Sequence, residues 1–71
     1  MIKEGDKLKI TGFDCGHRAM SRFVAMGIRI GEEITVKVIQ PDGPYVVDVG
    51  SSEYSIGRGM FGKLIYERIT E

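Results

Sequence analysis

Ile34-Thr35-Val36-Lys37-Val38-Ile39-Gln40-Pro41-Asp42-Gly43-Pro44-Tyr45-Val46-Val47-Asp48-Val49-Gly50-Ser51-Ser52-Glu53-Tyr54-Ser55-Ile56 is the stretch that decides the fold. From Gly31 onward it reads as a strand, with Ile34, Val36 and Val38 on one face and Thr35, Lys37 and Ile39 on the other. Pro41-Asp42-Gly43-Pro44 is a turn, because proline presets φ and Asp-Gly tolerates a tight reversal. Tyr45 to Val49 returns as a second strand with Tyr45, Val47 and Val49 on one side. Gly50-Ser51-Ser52 turns again, and Glu53 to Ile56 gives a third strand with Tyr54 and Ile56 inward. Three strands joined by short polar turns make an antiparallel meander.

On the N-terminal side, Lys7-Leu8-Lys9-Ile10 alternates in the same way and predicts a half-buried strand with Leu8 and Ile10 inward. Gly12 is expected to open a loop that runs through Asp14, Cys15 and Gly16. Residues 17–27 are the one helical segment of any length. Met20, Phe23, Val24 and Gly27 stand at i, i+3, i+4 and i+7 as the expected buried stripe, with Arg18 and Arg22 four apart on another face. Asp14 is the candidate N-cap. Gly27 belongs at C′ in the left-handed conformation, which makes Ile28 the C″ residue expected to pack back on Phe23. On the C-terminal side, Gly57 to Lys63 has room for one helical turn, near 58–62, before a closing strand from Leu64 to Ile69. The phase of that strand stays open between Leu64 with Tyr66 and Ile65 with Ile69. About five short strands and one helix point to a small, mainly β barrel, whose closure would leave no exposed strand edge.

The composition sets limits on what such a barrel can be. Seventy-one residues, 42% apolar and 28% charged, with ten Lys plus Arg against ten Asp plus Glu, describe one globular domain, 1–71, of zero net charge. Nucleic-acid binding is not expected, because neutralising phosphates needs a basic surface and no block of like charge occurs. No apolar run approaches the roughly 18 residues of a membrane span. Residues 1–6 lack the apolar core of a signal peptide, so a cytoplasmic, reduced location is the expectation. One Cys allows no internal disulfide, and stability has to come from packing.

Three groups of residues resemble chemistry. Gly57-Arg58-Gly59-Met60-Phe61-Gly62 matches G-x-G-x-x-G, and Gly57 to Lys63 matches the first seven positions of a P-loop. The hydroxyl that would bind magnesium is replaced by Leu64, and both motifs need a helix after the loop, where a strand is expected instead. The glycines read better as a tight connection. Cys15 and His17, beside Asp14, are transition-metal ligand types two positions apart. A tetrahedral site wants four ligands and the chain has no other Cys or His, so a metal would need carboxylates or a second copy of the chain. Nucleophilic catalysis through Cys15 and His17 is disfavoured, since neighbouring positions at a helix start diverge. Glu32 and Glu33 are read as solvated surface, pointing to opposite faces. Arg18, Arg22 and Arg29 are the candidate contacts for an acidic partner, against the alternative of a solvated helix flank.

Gly5-Asp6 before the first strand, the segment Ser21-Arg22-Phe23-Val24-Ala25-Met26-Gly27-Ile28-Arg29-Ile30-Gly31 and the Pro-Gly-Pro type turn together resemble the FeoA family of bacterial ferrous iron uptake. In that family the segment reads arginine, a large apolar residue, two variable positions, methionine or leucine, glycine, and a second glycine four positions on. Phe23 stands where leucine is usual, and Gly57 to Gly62 replaces a more helix-forming run. The resemblance implies an SH3-like barrel without enzymatic activity or a required cofactor. It implies a cytoplasmic accessory that acts by contact with the FeoB-type membrane transporter and can be recruited to the inner face of the membrane by it. A monomer is expected. The alternative reading is a small metal-responsive module that binds a transition metal weakly through Cys15 and His17.

Overall fold

A computed structural model of the chain describes residues 2–69. Its elements run β1 (Lys7–Phe13), α1 (His17–Ala25), β2 (Glu33–Ile39), β3 (Tyr45–Val49), β4 (Ser52–Ile56), α2 (Arg58–Phe61) and β5 (Leu64–Ile69). The strands form one antiparallel sheet in the order β4-β3-β2-β1-β5. The meander from β2 to β4 is the predicted one. β1 is inserted between β2 and β5, with Leu8 opposite Ile34 on one side and Arg68 on the other.

Every element supplies the core. Leu8, Ile10, Phe23, Ile28, Ile34, Val36, Val47, Val49, Ile56, Phe61 and Leu64 are buried, and among the described residues no polar or charged side chain is. Burying a side chain of this size contributes about 1.5–3 kcal/mol each, which is how a chain without cross-links offsets its ordering entropy.

Two irregularities bend the sheet around that core and correct the expected strand phases. β1 does not stop at Gly12. It shifts register between Ile10 and Gly12 and continues to Phe13, which faces Leu64 of β5. β2 shifts register between Val36 and Val38, so the extra residue is Lys37. Beyond it the alternation reverses: Val38 is exposed and Ile39 packs on the core, the opposite of the uniform alternation expected. Bulges of this kind increase local twist and bend a strand, which curls a five-stranded sheet into a barrel-like shape. β2 also begins at Glu33 rather than at Gly31.

The sheet curls but does not close by hydrogen bonding, since β4 and β5 are its two ends. The short helix α2 lies in the connection between them. Its Phe61 stacks on Tyr45 of β3 with ring centres 4.2 Å apart and tilts against Tyr66 of β5 at 5.9 Å. This aromatic contact settles the phase of β5: Leu64 and Tyr66 face the core and Ile65 faces solvent. The expected closed barrel is therefore an open five-stranded sheet of SH3-like shape, packed along its seam by an aromatic side chain.

α1 spans His17–Ala25, with Met26 as C-cap. Gly27 has φ +88, and its N–H donates to the Val24 carbonyl at 2.9 Å while the Ile28 N–H donates to the Phe23 carbonyl at 2.9 Å. These are the two bonds of a Schellman motif, as the sequence predicted. Ile28 and Phe23 are both fully buried in the core. The N-terminus differs from expectation: the cap is Gly16, which has no side chain to offer, and Asp14 caps nothing. Asp14 instead donates its N–H to the Lys63 carbonyl at 2.7 Å, fastening the loop to the start of β5.

Candidate functional site

The segment from α1 to the start of β2 carries the candidate site residues. Phe23 is the single fully buried side chain of α1, with Met20 half-buried, and Val24 is 41% exposed. The expected stripe is thus corrected at Val24: the face turned inward holds Ala19, Met20, Phe23 and, just beyond the helix, Met26. A helix of nine residues lying on a small core buries little more than one stripe, so its remaining surface stays in water. His17, Arg18, Ser21, Arg22 and Ala25 occupy that exposed surface.

Arg18 and Arg22 are therefore where the sequence placed them, and Arg29, in the connection after the helix, is exposed as well. The ion pairs among the described residues are Lys37 with Glu53 at 3.2 Å and Arg68 with Asp6 at 3.6 Å, and neither involves these three. Arg22 lies in the last turn of α1, where a cation interacts favourably with the helix dipole. The frame beneath is fixed by backbone bonds: the Schellman motif at Gly27, then Glu32 N–H to the Arg29 carbonyl at 3.0 Å and Gly31 N–H to the Ile10 carbonyl at 2.7 Å.

Among the described residues four large apolar side chains are exposed, namely Val24, Ile30, Val38 and Ile65. Ile30, between Arg29 and Gly31, is 66% exposed. Sequence reading passed over it because composition does not distinguish an exposed isoleucine from a buried one. The available signal was its place in a short connection, one residue before a glycine.

The remaining candidates separate. Cys15 is half-buried against the core, while His17 is exposed at the first position of α1. Among the described residues no three His, Cys, Asp or Glu side chains cluster so as to hold a metal ion. In the glycine-rich segment, Phe61 N–H donates to the Gly57 carbonyl and Gly62 N–H to the Arg58 carbonyl, and β5 follows directly. This is the tight connection anticipated, with no following helix to meet a phosphate. Arg58 braces it against the meander: it donates to the Tyr45 hydroxyl at 3.1 Å and to the Gln40 carbonyl, and its guanidinium lies 4.9 Å from the Tyr45 ring centre. No helix of the described residues is long and apolar enough to cross a membrane.

The model of the FeoA domain matches residues 1–68. The chain belongs to the FeoA family. A protein of Methanocaldococcus jannaschii, provisionally named Fe(2+) transport protein A, is 37% identical over 65 residues, covering 92% of this chain and 78% of that protein. The crystal structure of an iron uptake regulatory protein (FeoA) superimposes with a TM-score of 0.90 at 31% identity, covering 96% of this chain and 91% of the other. The solution structure of an iron(II) transport protein A from Clostridium thermocellum gives a TM-score of 0.88 at 20% identity over 96% of this chain and 43% of the other, which is a likeness of fold. The SH3-like architecture of this FeoA chain is accordingly the family's, with the bulges, the Schellman motif and the aromatic seam as the devices by which this sequence builds it.

Proposed function

We propose that this FeoA chain is a non-enzymatic accessory of ferrous iron uptake, working in the cytoplasm by contact with a FeoB-type membrane transporter. The family supports the transport role, together with relatives whose names refer to Fe(2+) transport and iron uptake. The observation that carries the contact reading is the flank of α1 and the connection after it. There Arg18, Arg22 and Arg29 stand exposed on a backbone held by three turn-closing bonds, with no ion pair of their own among the described residues. Guanidinium groups in that setting suit carboxylates of a partner, which they bind in planar, two-pronged geometry.

The test is an amide-resolved NMR titration of the full chain with the transporter's cytoplasmic GTPase domain and, separately, with ferrous iron. Shifts over residues 17–31 with the protein support the reading. The Arg18→Glu, Arg22→Glu double variant should then weaken binding by about tenfold, mainly through association rate, with the fold unchanged. Undiminished binding of that variant refutes this choice of surface. Shifts confined to residues 14–17 with iron, and none with protein, would put the metal-responsive module in its place.

A further inference from the structure

Among the described residues Ile30 has the largest fractional exposure of the four exposed large apolar side chains, 66% against 48% for Ile65, 41% for Val24 and 39% for Val38. It stands at the second position of the four-residue turn Arg29–Glu32, which is closed by the bond from Glu32 N–H to the Arg29 carbonyl. Gly31 at the third position has φ +95, the mark of a type II turn. The Gly31 N–H bond to the Ile10 carbonyl ties this corner to β1, whose Ile10 side chain is fully buried. The second position of such a turn favours proline and asks for no apolar side chain. An isoleucine there satisfies no local demand and leaves most of its surface in water.

We infer that Ile30 is the apolar anchor of the partner interface. It inserts into an apolar cleft of a protein partner whose rim carries carboxylates for Arg18, Arg22 and Arg29. The inference rests on the protein-contact reading above and names the chemistry of the partner's side. Two features of the segment select a protein as occupant. The three arginines precede Ile30 or adjoin it, whereas Glu32 and Glu33, also exposed, follow it. A protein surface can complement both signs; an anionic bilayer attracts the arginines and repels the glutamates. A single isoleucine also inserts too little apolar surface to hold a chain on a membrane. A side chain carried on a turn pinned by two backbone bonds loses little freedom on docking, which favours a central anchor.

The experiment measures Kd of the full chain for a FeoB-type transporter in lipid nanodiscs, using wild type, Ile30→Ser and Ile30→Leu. Controls are vesicles of phosphatidylglycerol and an amide spectrum of each variant. Burying most of an isoleucine predicts a loss of roughly 5- to 30-fold for Ile30→Ser, with Ile30→Leu within about threefold of wild type. Added salt should weaken all three alike and leave the ratio of wild type to Ile30→Ser intact, because the anchor is not electrostatic. Equal binding by Ile30→Ser and wild type overturns the anchor and leaves the transporter contact standing. Absence of wild-type binding to the transporter overturns both. Vesicle binding that Ile30→Ser abolishes assigns the corner to a membrane and overturns the protein cleft.

Discussion

Replacing Gly27 by alanine tests whether the end of α1 is held as described. At φ +88 an L side chain meets its own backbone, a strain of about 1–2 kcal/mol. The added Cβ would stand 3.4 Å from Cγ1 of Val49, close contact but no collision, so the strain is mainly conformational. Alanine also reduces the freedom of the unfolded chain, which returns about 0.4–1 kcal/mol. The net loss is about 1 kcal/mol, or roughly 4–8 °C in Tm for a domain of this size. Gly59→Ala is the matched control. Gly59 lies within α2, has no positive φ, and a Cβ there meets nothing within 4 Å. Only the entropic gain remains, so Gly59→Ala should stabilise by about 0.4–1 kcal/mol. Thermal melts followed by circular dichroism at one pH read both. Opposite signs are required: a Gly27→Ala variant that melts at or above wild type, or a Gly59→Ala variant that falls alongside it, refutes the assignment of strain to Gly27.

Ile28 and Ile30 are the same residue type two positions apart, fully buried and 66% exposed respectively. Urea unfolding should show Ile28→Ala losing about 2–5 kcal/mol, much of the domain's stability, and Ile30→Ala within about 0.5 kcal/mol of wild type. The Tyr66 hydroxyl has its pKa raised above its ordinary value of 10.0, first by burial and then by Tyr45. A raised folded pKa means that the stability it contributes is complete below pH 10.0 and is lost as pH rises through the folded value. Tyr66→Phe should flatten the alkaline fall in Tm; an unaltered slope would remove burial of Tyr66 as its cause. Lys37, raised by its bond to Glu53 and by Asp48, titrates with the same sign, so Lys37→Met serves as the parallel control.

What could be read from the sequence was what local chemistry enforces. The meander was visible because alternating residues were separated by Pro-Asp-Gly-Pro and Gly-Ser turns, and the end of α1 because glycine alone suits its φ. The errors fall where a nonlocal contact decides. Val36-Lys37-Val38-Ile39 alternates acceptably in either phase, and only pairing with β3 reveals that Lys37 is the extra residue. Gly12 looked like the end of a strand because a bulge and a loop draw on the same residue types. Leu64-Ile65-Tyr66 has no alternation, and its phase depends on where Phe61 places its ring. Asp14 was a plausible cap by residue type, but its backbone is committed to Lys63. Arg18 and Arg22 were legible as an exposed helix flank. Ile30 was not, since exposure is a property of the fold.

The same segment also shows how a core this small can hold exposed side chains in fixed positions. Along 22–30, buried and exposed residues succeed one another closely: Arg22 exposed, Phe23 buried, Val24 exposed, Ile28 buried, Arg29 and Ile30 exposed. Each buried side chain fixes the exposed one beside it, and the bonds at Gly27 and Gly31 remove the backbone freedom that remains. The entropy of ordering this surface is therefore met by folding, before any docking of the kind proposed. One consequence separates this arrangement from a flexible docking loop. On the proposed contact reading, substitutions at Phe23 or Ile28 should reduce binding only in proportion to the fraction of chain they unfold, whereas substitutions at Arg22, Arg29 or Ile30 should reduce it with the folded fraction untouched. Adding saturating partner would then restore the melting temperature of a core variant by mass action but not the affinity of a surface variant.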